Sequence, residues 1–112
     1  MAKVEITRVG FETLTILARY ITEFVGEIDA LTFADQLLTR TSERLAEYPL
    51  QCPVCHELEK IGVTDYRQLT VDKYKVLYRY NDIQDTVYVT GFMRHRQSAQ
   101  ELLLTYVLLN TG

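Results

Sequence analysis

The chain of 112 residues has only two cysteines, two prolines and two histidines. It also lacks any long apolar run. Its longest, Leu102–Leu109, is broken by Thr105, and falls far short of the roughly 18–20 residues that span a bilayer. The first residues, Met-Ala-Lys-Val-Glu-Ile-Thr-Arg, contain no apolar signal core. The expectation is a cytoplasmic protein with no membrane partner, in which the two cysteines need not pair. Net charge is −3 and the pI about 5.3, so bulk attraction to nucleic acid or an anionic membrane is excluded. Any such contact must come from a local patch. There is no glycine-rich phosphate loop and no G-x-S-x-G elbow. Internal repeats, low-complexity tracts and linkers are absent too, so residues 1–112 read as one domain.

What is present is ordinary in amount and informative in order. Val4 and Ile6 alternate with polar neighbours, as in a short half-buried strand. Phe11, Leu14, Leu17, Ile21 and Phe24 recur at helical steps, and Gly26 suits a C-cap. Asp29 is placed to cap a second helix running to about Tyr48, with Ala30, Phe33, Ala34, Leu37, Thr41, Leu45 and Tyr48 on one face. Pro49 ends it. The short link predicts an antiparallel helix hairpin. After an irregular stretch over residues 49–63, three strands follow. Tyr74, Val76, Tyr78 and Tyr80 share one face of the middle strand, and Lys75, Leu77 and Arg79 the other. In the third, Val87, Val89, Gly91 and Met93 alternate against Tyr88, Thr90 and Phe92. From Ser98, Leu102, Leu103, Tyr106 and Leu109 form a last helical stripe. The expected fold class is α+β, in the order β-α-α-β-β-β-α: a helix hairpin and a C-terminal helix on a small, mainly antiparallel sheet.

Two constellations are candidates for chemistry. Cys52-Pro-Val-Cys55-His56 spells a haem attachment pattern, but that chemistry belongs to exported proteins. A zinc site wants four ligands, and the other histidine, His95, lies about forty residues away. A reactive dithiol lacks its usual βαβ context. The expectation is that both cysteines dock a loop on the core, with no metal and no cofactor. The second constellation is basic: Arg67, Lys73, Lys75, Arg79, Arg94, His95 and Arg96. The preceding half of the chain is acidic. In an antiparallel sheet, Arg67, Lys75 and the Arg94–Arg96 segment are expected near one face. Two readings stay open: a cationic surface for phosphates or an acidic partner, or a solvated sheet face whose lysines protect an edge.

The order of these elements resembles the RelE/ParE superfamily of bacterial toxin–antitoxin toxins. The residues carrying the resemblance are Ala30 and Phe33, Leu45 with Tyr48-Pro49, and Gly62 through Tyr66-Arg67 to Leu69. Tyr74-Lys-Val-Leu-Tyr78-Arg-Tyr80 and Arg94-His-Arg96-Gln97 complete it. Together they cover about residues 4–109. The resemblance implies one of two activities. RelE-like members cut mRNA in the ribosome, using basic residues and a proton-transfer group. ParE-like members keep the fold without that set and poison DNA gyrase.

Lys75 matches the basic residue of the middle strand, and Arg96 the one after the last strand. No tyrosine follows Arg96 closely, and His95 stands beside rather than at the position of the family's histidine. The expectation is therefore gyrase inhibition by binding, with no catalytic residues and with Arg67, Lys75, Arg79, Arg94 and Arg96 meeting the target. The alternative is a ribosome-dependent endoribonuclease using Arg67, Lys75, His95 and Arg96; a further alternative is a non-toxic binding module of the same fold. The resemblance also implies a cognate antitoxin. Leu102, Leu103 and Tyr106 are its candidate contacts, either forming a groove or packing in the core.

Overall fold

The computed structural model describes residues 1–108, and the side chains of residues 1–105. Its centre is a four-stranded sheet in the order β1-β4-β3-β2. The strands are β1 (Lys3–Ile6), β2 (Tyr66–Val71), β3 (Tyr74–Asn81) and β4 (Thr86–Met93). β2, β3 and β4 are antiparallel neighbours, and β1 runs parallel to β4. Parallel pairing needs a long crossover, and the helix hairpin with everything up to β3 supplies it. The expected element order and fold class are observed.

Helices α1 (Arg8–Val25) and α2 (Glu27–Glu47) cover one face. One residue joins them. Gly26 has φ 88° and ψ 166°, a region open in practice only to glycine. Its N–H donates to the Thr22 carbonyl and its own carbonyl accepts from Ala30 N–H. Gly26 thus ends α1, as expected, and also begins α2. Asp29 was expected to cap α2; it lies instead within the first turn with Glu27, where both carboxylates still favour the helix dipole.

The buried side of α1 is rotated from the expected stripe. Leu14, Leu17 and Ile21 are buried, joined by Gly10 and Thr13, whereas Phe11 and Phe24 are 51% and 70% exposed. The reason is close approach. A Cβ on Gly10 would lie 2.5 Å from the Val89 carbonyl oxygen, so only a residue without one fits there. Thr13 turns inward because its hydroxyl has two partners. It donates to the Gly10 carbonyl and accepts from Phe92 N–H at 3.0 Å. On α2, Ala30, Leu37, Thr41 and Leu45 are buried, Phe33 packs edge-on against Tyr74, and Tyr48 is exposed.

The opposite face of the sheet carries a second, smaller core. Cys55, Leu58, Tyr66, Leu77, Met93, Ala99, Leu102 and Leu103 form it. The short helices α3 (His56–Glu59) and α4 (Ala99–Leu102) lie there, and the chain continues from α4 as a π-helical stretch, Leu103–Leu108. The face assignment in β3 is as expected: Val76 and Tyr78 join the helix-hairpin core and Leu77 the other. That in β4 is not. Leu77 pairs with Gly91 but Tyr78 pairs with Val89, leaving Thr90 unopposed. This β-bulge resets the alternation. Val87, Val89 and Phe92 face the hairpin, and Met93 faces the second core. Leu109, the last residue of the expected terminal stripe, lies outside the described residues.

Candidate functional site

The basic residues occupy both faces of the sheet. Lys75 and Arg79 share the side of Leu77, by the period-two rule. Arg67 shares the side of Leu69 and Val71, which belong to the hairpin core. There its guanidinium donates to the Cys52 carbonyl. Its β3 partner is Tyr78, whereas Lys75 pairs with Met93. Arg67 is thus three steps along β3 from Lys75, roughly 10 Å, and on the other face. The expected convergence of Arg67 with Lys75 and the Arg94–Arg96 segment on one face does not occur.

Lys75 is half-buried and already engaged: its ammonium donates to the Gln97 carbonyl at 2.6 Å. A carboxylate lies nearby. Glu57, on α3, accepts from Ala99 N–H at 3.0 Å and Gln100 N–H at 3.1 Å, and from the Ser98 hydroxyl. It thereby caps α4 from a different element. Partial burial would raise its pKa, but hydrogen bonds from Ser98, Gln100 and Ala99 and the Lys75 charge outweigh this, leaving it below the ordinary carboxylate value. Sequence reasoning did not single out Glu57. A signal existed in Ser98-Ala-Gln-Glu101, a capping-box pattern whose Ser98 hydroxyl does accept from Glu101 N–H. Nothing in the sequence ties a residue 41 positions upstream to that cap.

The other cations are at the surface or stacked. Arg79 lies over Tyr88, 4.5 Å from the ring centroid. β4 ends at Met93, and Arg94, His95 and Arg96 form an exposed turn closed by Gln97 N–H donating to the Arg94 carbonyl. Arg94 stacks on Tyr20 at 4.2 Å. Beside it, between α1 and the start of α4, is an open groove of about 350 Å³ with Leu17, Phe92 and Leu102 among its lining residues. Thus Arg94 and Arg96, with His95 between them, form an exposed rim near Lys75, while Arg67 stands apart.

The remaining candidates resolve as follows. Leu102 and Leu103 are 7% and 2% exposed and pack in the second core, and Leu102 also lines the groove. Gly91 permits this, since a Cβ there would meet Leu102 Cδ1 at 2.7 Å. The Tyr106 side chain lies outside those described. Cys55 packs in the second core and Cys52 against the first. Among the described residues no three His, Cys, Asp or Glu side chains are grouped to hold a metal. No described helix is long and apolar enough to cross a membrane. Burial raises the pKa of the Tyr78 hydroxyl, as does its Cys52 neighbour, and that hydroxyl donates to the Pro49 carbonyl at 2.9 Å. It is a structural group, held in its protonated form.

A hairpin of helices over one face of such a sheet, with a short C-terminal helix on the other, is the architecture of small toxins from toxin–antitoxin systems. The isolated Escherichia coli RelE toxin superposes with a TM-score of 0.56 at 14% identity, covering 90% of this chain and 92% of that one. A chain of the chromosomal ParDE system of Pseudomonas aeruginosa gives 0.61 at 15%, covering 84% and 96%. One from the RelBE2 toxin–antitoxin complex of Mycobacterium tuberculosis gives 0.57 at 19%, covering 83% and 96%. No curated protein matches the sequence. The sequence model described as "ParE toxin of type II toxin-antitoxin system, parDE" matches residues 4–99. The chain belongs to the ParE toxin family of type II toxin–antitoxin systems.

Proposed function

We propose that this toxin acts without catalysis, by binding and inhibiting DNA gyrase, and that a cognate antitoxin neutralises it. The observation carrying this reading is the placement of the basic residues. An endoribonuclease needs groups converging on one phosphate and a proton-transfer partner within hydrogen-bond reach. Here Arg67 is on the opposite face from Lys75, and the Lys75 ammonium is held by the Gln97 carbonyl. What is free to meet a macromolecule is the exposed turn Arg94-His95-Arg96. Arg79 and Lys75 lie behind it on the second-core face, and Arg67 contributes only to loop anchoring. The match to the ParE family model supports the same branch, and the complexes among the structural relatives support an antitoxin partner.

The test pairs two assays on the purified protein. Gyrase supercoiling should be inhibited, or cleaved DNA complexes trapped, at concentrations that leave mRNA intact during translation in vitro. Substituting Arg94 and Arg96 together by alanine should weaken inhibition without unfolding the chain, because both side chains are exposed. Cleavage of mRNA with unaffected gyrase refutes the proposal in favour of the endoribonuclease. Expression without growth arrest, when no antitoxin is supplied, refutes a toxic role altogether.

A further inference from the structure

The stretch Cys52-Pro53-Val54-Cys55 places two thiols three residues apart, and the fold holds them on opposite sides of the sheet. Residues 53–55 run along the outer edge of β2 as a short extra strand. Gln68 N–H donates to the Pro53 carbonyl at 3.2 Å, Cys55 N–H donates to the Tyr66 carbonyl at 2.8 Å, and Val54 pairs with Arg67. Side chains an odd number of positions apart on a strand point to opposite faces. Cys52 accordingly packs against the hairpin core. Cys55 is buried in the second core, its thiol donating to Gln68 Oε1 at 3.5 Å. Extended backbone sets the two Cα atoms roughly 10 Å apart, beyond the about 7 Å that a disulfide spans. Edge pairing and a Cys52–Cys55 disulfide are therefore mutually exclusive.

The two thiols differ in access and surroundings. Cys55 is 1% exposed, whereas Cys52 is half-buried and the Arg67 guanidinium donates to its carbonyl. The Tyr78 hydroxyl neighbours the Cys52 thiol, and the Arg67 charge reaches that hydroxyl as well. Partly exposed, electropositive surroundings are those of reactive thiols, and buried apolar ones those of inert thiols. Cys52 is thus the point of entry, and Cys55 can follow only once residues 53–55 leave β2. That departure has reach. The Cys55 carbonyl accepts from Leu58 N–H at 3.2 Å and Glu59 N–H at 3.0 Å, which starts α3. Glu57 of α3 is the carboxylate that caps α4 through Ala99 and Gln100. Drawing Cys55 out of the second core displaces the start of α3, and Glu57 with it.

We propose that Cys52 and Cys55 form a thiol–disulfide exchange site for a small-molecule disulfide, and that its oxidised form releases α4 from Glu57. In the first step the Cys52 sulfur loses its proton and attacks one sulfur of the small disulfide. That S–S bond breaks, and the leaving thiol takes up the proton. In the second step the Cys55 sulfur attacks the Cys52 sulfur of the mixed disulfide, and a second small thiol leaves with the Cys55 proton. Two cysteine thiols are oxidised to one disulfide, and one small disulfide is reduced to two thiols. The proposal is independent of whether gyrase or the ribosome is the target.

The test uses the intact protein and glutathione disulfide. Before oxidation, iodoacetamide should modify Cys52 about tenfold or more faster than Cys55, because Cys55 reacts only after local opening. With glutathione disulfide, mass spectrometry of acid-quenched samples should show a glutathione adduct on Cys52 and then an intrachain Cys52–Cys55 disulfide. Cys55→Ala, which keeps a small apolar side chain in the second core, should stop at the adduct. Cys52→Ser should take up no glutathione. Amide hydrogen exchange of the oxidised protein should show Gln68, Ala99 and Gln100 losing about tenfold or more of their protection, with Val76 and Val89, both fully buried in the sheet, unchanged. Should Cys55→Ala fail to fold by circular dichroism, the alkylation rates, Cys52→Ser and the exchange data on the unaltered protein still decide. Four results overturn the proposal: equal alkylation of the two thiols in the folded protein, no glutathione uptake, uptake at Cys55 in Cys52→Ser, or a Cys52 adduct that the unaltered protein never resolves. A disulfide between two copies, or an intrachain disulfide that leaves Ala99 and Gln100 protected, overturns it as well.

Discussion

A glycine inside an α-helix is normally improved by alanine, which gains about 1 kcal/mol of helix propensity. Gly10→Ala in this protein should do the reverse. The new Cβ would sit 2.5 Å from the Val89 carbonyl oxygen and 3.0 Å from Ile6 Cγ2, so α1 must back away from β4 by several tenths of an ångström. That oxygen is already the acceptor for Thr7 N–H and the Thr7 hydroxyl, both at 3.0 Å, and Thr7 Oγ1 in turn caps Gly10 N–H at 3.0 Å. Retreat of the helix therefore stretches the bonds that start it.

Overpacking costs about 1–3 kcal/mol, and weakening one or two partly buried hydrogen bonds about 1 kcal/mol each. Against the propensity gain, the net destabilisation is about 2 kcal/mol, or a fall in Tm of roughly 8 °C. Urea unfolding should show a lower midpoint with an unchanged slope. A variant as stable as the parent, or more so, would refute the close-approach account of why α1 buries Gly10 and Thr13 in place of Phe11.

Three further outcomes are expected. Glu57→Gln should cost about 1–2 kcal/mol at neutral pH, through loss of a charge-assisted cap. Because the folded pKa of Glu57 lies below its ordinary 4.5, its contribution is complete above that value and lost as pH falls through the folded pKa. Urea melts below about pH 4.5 should therefore converge for parent and variant, and parallel acid limbs would contradict this. Lys73→Gly should stabilise by about 0.5–1 kcal/mol in the same assay, since Asp72 and Lys73 form a two-residue hairpin turn with φ 49° and 73°, where glycine carries no left-handed penalty. Thr41→Val should raise the urea midpoint by about 1 kcal/mol of stability. The Thr41 hydroxyl is fully buried with no hydrogen-bond partner among the described residues, and such a group costs more than the methyl replacing it.

The local periodicities made the fold legible. Tyr74, Val76, Tyr78 and Tyr80 carry a clear two-residue period, and Leu37, Thr41 and Leu45 a helical one; both sets lie where the patterns put them. What escaped were features set by close contact between distant segments. Phe11 and Phe24 fit the apolar stripe of α1 as well as Leu14 does; only the approach of α1 to Val89 decides which side goes in. Gly26 signalled a C-cap, but one glycine ending one helix and starting the next left Asp29 without its expected role.

At the candidate site, the turn Arg94–Arg96 was visible as a charge cluster. The separation of Arg67 from Lys75 depends on strand register, and the capture of Lys75 on the Gln97 backbone carbonyl; neither is encoded in residue type.

A strand is read in a frame of two, and β4 contains a frameshift. Val87 and Val89 are in one frame with the hairpin core, and Thr90 is the inserted letter. Phe92 and Met93 are then read in the frame that sends them to the first and second cores. Removing Thr90 alone leaves Val87, Val89 and Phe92 in strict alternation with Tyr88, Gly91 and Met93, so no side chain changes face. Removing Tyr88 instead would send Val89 to the wrong core. Removing Gly91 would keep the frame too, but would bring the Thr90 side chain to where a Cβ meets Leu102 Cδ1 at 2.7 Å, so of the two residues at the bulge Thr90 is the one β4 can lose without disturbing either interior.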